Sequence, residues 1–76
     1  MSPQENLSIL VRDWMKRQRL SGRAAAKRLG MAEICLSRRL RGDSQWRADE
    51  LLRLRDEGIH VSSELFHALV EEEISA

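Results

Sequence analysis

The sequence has few of the residues that staple, break or stack a chain. Its 76 residues include one cysteine, one proline, two tryptophans, one phenylalanine and no tyrosine. Cys35 alone excludes an internal disulfide and suits a reducing compartment, so the expected location is cytoplasmic. No apolar run approaches the roughly 20 residues needed to cross a bilayer, and no signal-peptide pattern opens the chain; no membrane partner is expected. There is no glycine-rich phosphate loop and no Ser-His-Asp arrangement. His60 and His67 stand apart from the cysteine and from clustered carboxylates, against a zinc site. A chain this short buries only about 60% of its unfolded surface, leaving little room for an enclosed pocket. No enzyme activity, cofactor, metal or small-molecule substrate is expected, and residues 1–76 read as one domain.

The charges that are present are segregated. From Met1 to Gly42 ten basic residues face three acids, a net +7, whereas from Asp43 to Ala76 three arginines face nine acids, a net −6. A basic half attracts a polyanion and an acidic half turns away from one. The same asymmetry also fits two solvated faces of opposite sign.

Hydrophobic spacing predicts helices throughout. Ser2-Pro3-Gln4-Glu5 has the form of a capping box, with Pro3 in the first helical position. Leu7, Leu10, Val11, Trp14 and Gln18 then recur at helical intervals, so an apolar stripe faces inward as far as Trp14, with Met15 widening it, and the helix ends near Arg19. Ser21 caps a second helix over Gly22 to Leu29, rich in alanine and closed by Gly30. A third runs from about Glu33 to Arg41 and stops at Gly42. Asp43-Ser44-Gln45 reads as a loop. Trp46 leads into a fourth helix over about Ala48 to Glu57, with Leu51, Leu52 and Leu54 apolar and Gly58 as its stop. Ser62 or Ser63 caps a fifth, which carries Leu65, Phe66, Leu69 and Val70 and frays into Glu71-Glu72-Glu73. The expected fold is all-α, a compact five-helix bundle.

Gly22 to Arg41 has the pattern of two helices meeting through a tight turn. Gly30 supplies the left-handed residue, Ala26 the small crossing position, and Ala25, Leu29, Met31 and Leu36 the apolar flanks. Arg39 occupies a position usually apolar, with Leu40 beside it to take over the packing. The stretches L-S-R-R-L-R-G at 36–42 and W-R-A-D-E-L-L-R-L at 46–54 make the segment Leu20 to Val61 resemble the Cro/repressor-type, or xenobiotic-response-element, helix-turn-helix family. In particular they resemble small phage and actinobacterial regulators of that group. Gly22 and Arg47 depart from its usual polar contact and Ser/Thr cap.

The resemblance implies a lambda-repressor-like DNA-binding domain, double-stranded operator DNA as partner and commonly a homodimer. In that docking mode the second helix of the motif enters the major groove. Its outward residues are Glu33, Ile34, Ser37 and Arg38, the expected base contacts. Arg38 has the fork to read guanine O6 and N7, Glu33 can accept from cytosine N4, and Ile34 can cover a thymine methyl. Plainer roles stay open: Arg38 on phosphate, Glu33 complementing the helix dipole, Ile34 partly in the core. Expected phosphate contacts are Ser21, Arg23, Arg41, Ser44 and Gln45. Arg23 opposes the dipole of its own helix, which a nearby phosphate would offset, although a solvated arginine also fits. Leu65, Phe66, Leu69 and Val70, with Ile74 beyond them, give the last helix a shared role, part core and part dimer interface. Cys35 reads as a small packing residue. The leading expectation is a transcription regulator of the Cro or immunity-repressor kind. Alternatives are an antitoxin-type autoregulator and a protein-interaction module without DNA binding.

Overall fold

The computed structural model describes residues 1–75; Ala76, the last residue of the expected domain, lies outside them. Among the described residues there are five α-helices and no strand: α1 (Pro3–Gln18), α2 (Gly22–Arg28), α3 (Glu33–Arg41), α4 (Leu51–Asp56) and α5 (Ser63–Ser75), with a 3₁₀ turn (Ala48–Glu50) leading into α4. None is long and apolar enough to cross a membrane.

The start of α1 follows from its capping box: the Ser2 hydroxyl accepts from the Glu5 amide at 3.1 Å while Glu5 reaches back to the Ser2 amide. Its end is less ordinary. Arg19 closes the helix in the left-handed region at φ 55°, and Leu20 N–H bonds back to Met15 O. A residue with a Cβ is strained there by about 1–3 kcal/mol. Gly30 (φ 70°) ends α2 and Gly42 (φ 84°) ends α3 without that strain. In each case an amide reaches five residues back, Met31 to Ala26 and Asp43 to Arg38, satisfying carbonyls that the helix leaves open.

One core joins the elements. It takes Leu7, Val11 and Trp14 from α1, Ala25, Ala26 and Leu29 from the α2 region, Leu36 from α3, and Trp46, Ala48, Leu51 and Leu54 from the segment through α4. Ile59, Val61, Leu65 and Leu69 close it. The small residues of α2 let α3 approach closely, and α3 also packs on α1. Trp14 lies beneath the Arg28 guanidinium, 5.5 Å from its ring centroid, and its buried Nε1 has no hydrogen-bond partner among the described residues.

Two expectations need correction, on the fourth helix and on the end of the fifth. The fourth helix opens as a 3₁₀ turn, and Leu52 points outward at 60% exposure, because Leu51 and Leu54 already fill the inward positions of so short a helix. In α1 the inward stripe ends at Trp14 and Met15, as its spacing predicts, and Gln18 is exposed. Glu71-Glu72-Glu73 does not fray: α5 continues through it to Ser75. The run has structural partners, since Glu72 accepts from Gln4 Nε2 at 3.1 Å and Glu73 from the Ala48 amide at 2.9 Å. Leu65 and Leu69 are buried within the chain's own core, the core part of the shared role expected of the last helix. Phe66 and Val70 are half-buried against that core, and Ile74 is exposed.

Candidate nucleic-acid interface

α3 sorts its residues by helical row. Leu36 is buried, and Leu40, Cys35 and Arg39 are half-buried. On the outer side Glu33, Ser37 and Arg41 succeed one another at intervals of four, with Ile34 and Arg38 forming the adjacent row. Ile34 is 60% exposed, an apolar side chain left in water beside a charged one. Arg38 is exposed and makes no ion pair among the described residues. The four residues expected to meet base edges thus share one side of α3, although Ser37 is half-buried and already engaged. Its hydroxyl accepts from Arg41 Nη1 at 2.9 Å.

Arg41 is tethered a second time, by Asp43 Oδ2 at 3.1 Å from Nε. Both groups of that pair are more than half exposed, so the tether is weak and exchangeable. Ser21 caps α2, its hydroxyl accepting from the Ala24 amide at 3.1 Å, which leaves its O–H free to donate. Arg23 and Gln45 are exposed, and Ser44 is half-buried with its amide directed to Arg38 O at 3.3 Å. The N-cap of α3 is Ala32, which offers no side-chain cap, so the first-turn amides have no side-chain acceptor.

The support beneath α3 comes from pairings that the sequence does not reveal. The Arg39 fork grips Glu50, Nη2 to Oε2 at 2.8 Å and Nε to Oε1 at 3.1 Å, with both side chains about four-fifths buried. It also lies over Trp46, 6.0 Å from the ring centroid. Glu50 Oε1 accepts in addition from the Arg47 amide at 2.8 Å. At the end of α3, Ser8 donates to Arg39 O at 3.0 Å and Arg12 to Leu40 O at 2.9 Å, tying α1 to its last turn. The one clue in the sequence is the charge at position 39, where an apolar residue is expected. Leu40 does pack on the core, as that pattern requires, and Arg39 acquires a partner of its own.

His60 and His67 are both exposed, and no group of three or more His, Cys, Asp or Glu among the described residues is placed to hold a metal ion. No protein-family model matches the chain, and neither a curated protein nor a solved structure matches it.

Proposed function

We propose that the chain is a sequence-specific double-stranded DNA-binding regulator of the Cro/repressor type, with α2 and α3 as its helix-turn-helix and α3 as the helix that enters the major groove. The observation that carries this reading is the outer side of α3, where exposed Ile34 and unpaired Arg38 stand together on a helix anchored from behind by Arg39 and Glu50. A rigid helix offering a guanidinium fork and an apolar contact suits guanine and thymine in the major groove. Ser21, Arg23, Arg41, Ser44 and Gln45 take the phosphates. Arg41 exchanges Asp43 for a phosphate oxygen. A second copy belongs to the same proposal, joined through Phe66, Val70 and Ile74, since two half-sites lie about 34 Å apart along the duplex.

A protein-binding role draws support from a different feature. An open groove of about 630 Å³ along α1 has Ile9, Met15 and Leu20 as apolar lining with Arg12, Lys16 and Arg19 around it. The deciding experiment measures binding to a random-sequence duplex pool, and to sites recovered from it, across a salt series. Tight binding that falls steeply with salt and loses its sequence preference in Arg38→Ala is the expected outcome. Weak, uniform binding to every duplex would remove the DNA-binding reading and leave the α1 groove as the working surface.

A further inference from the structure

Three residues, Asp43, Ser44 and Gln45, separate Gly42 from Trp46. Both ends of this bridge are held. At its start the Asp43 amide bonds Arg38 O at 2.8 Å and the Ser44 amide shares that acceptor. At its far end Trp46 is gripped from three sides. Gln4 Oε1 accepts from the Trp46 amide, Gln4 Nε2 donates to the Trp46 carbonyl at 3.0 Å, and the indole N–H donates to Ser8 at 3.1 Å. The second hydrogen of Gln4 Nε2 goes to Glu72 near the end of α5, at 3.1 Å. Glu73, the next residue, accepts from the Ala48 amide just beyond Trp46. The carboxamide of Gln4 therefore uses both donors and its acceptor, in contacts 42 and 68 residues away along the chain.

We infer that Gln4, braced by Glu72, is a positioning residue for the 43–45 bridge, holding Ser44 and Gln45 where they meet the DNA backbone and so coupling the end of α5 to DNA affinity. This rests on the DNA-binding reading above. A bridge pinned at both ends has few conformations to lose on binding, and freeing one end restores that cost. Ser44 and Gln45 are neutral, so their contacts release no counterions. Loosening them lowers affinity without changing the slope of log K against log salt, whereas losing an arginine on phosphate lowers the slope by about one.

The test compares Gln4→Ala in two backgrounds, the natural chain and Ser44→Ala/Gln45→Ala, using a duplex recovered from a random pool by the natural protein. The expected result is about 10-fold weaker binding at unchanged salt slope in the first background and no further loss in the second. Glu72→Ala, which leaves both Gln4–Trp46 contacts in place, is expected to weaken binding about 3-fold with the same dependence on background. Equal losses in both backgrounds would mark a general loss of folded protein and overturn the inference, as would natural affinity in Gln4→Ala. If Gln4→Ala does not fold, Glu72→Ala decides, and natural affinity there overturns the coupling to α5. Failure of the natural protein to bind any duplex overturns the DNA-binding reading itself, and this inference with it.

Discussion

The basic and acidic halves of the chain use their charges differently. In the acidic half most carboxylates have internal work: Glu50 holds Arg39, Glu57 holds Arg28, Asp43 holds Arg41, Glu72 holds Gln4 and Glu73 caps the 3₁₀ turn. In the basic half Arg12, Lys16, Arg19, Arg23, Lys27 and Arg38 make no ion pair among the described residues. These five of the nine acids thus have a partner within the fold, while much of the basic charge stays available. Such an excess costs a little in self-repulsion and favours a polyanionic partner.

The comparison breaks most readily at Glu50. Its removal leaves Arg39 largely desolvated and also frees the Arg47 amide, so Glu50→Ala is expected to cost about 2–3 kcal/mol in denaturant unfolding. Arg39→Met, which removes the charge and keeps the bulk, is expected to cost clearly less. Equal losses in the two variants would show that the ion pair, rather than a stranded charge, sets the penalty.

Arg38→Ala is expected to behave in the opposite way. Stability should change by less than about 0.5 kcal/mol, as at other exposed sites. Discrimination between duplex sequences should fall by about 1–3 kcal/mol, read as the ratio of dissociation constants for selected and random DNA. A drop in melting temperature with unchanged preference would assign Arg38 to the fold.

Ala32→Asp separates the two demands on a single residue. A cap for the open first turn of α3 is expected to raise stability by about 1 kcal/mol, while the added negative charge weakens duplex binding at low salt. A protein both more stable and tighter-binding would show that the start of α3 lies away from phosphate. The smallest effect is expected at Gly22, where a Cβ meets nothing within 4 Å. Gly22→Ala should stabilise by about 0.4–1 kcal/mol in thermal melts, and a destabilised variant would contradict that open geometry.

The helical plan is legible in the sequence wherever the signals are local. The capping box at Ser2 and Glu5, the caps at Ser21 and Ser62, and the left-handed glycines at 30 and 42 bracket elements whose observed ends agree within a residue or two. The outward rows of α3 follow from the same periodicity. Long-range partnership is not legible. Gln4 and Trp46, Arg39 and Glu50, Glu73 and Ala48 meet through the fold, and no spacing rule pairs them. Leu52 and Glu71 to Glu73 mislead for a related reason: apolar composition does not say which side of a short helix is already full, and a run of like charge looks unstable until its partners arrive. Leu65 and Leu69, expected to be part core and part dimer interface, show the core part in their burial.

The two tryptophans, in a chain without tyrosine, amount to a pair of built-in optical reporters. Trp14 sits under a guanidinium with its indole N–H unpaired among the described residues, whereas Trp46 donates to Ser8 where α1 meets the loop before the 3₁₀ turn. The two rings therefore emit from different electrostatic surroundings at different seams. In Trp14→Phe the remaining fluorescence comes from Trp46 alone, so loosening of the Gln4–Trp46 grip can be followed as a spectral shift without attaching a label.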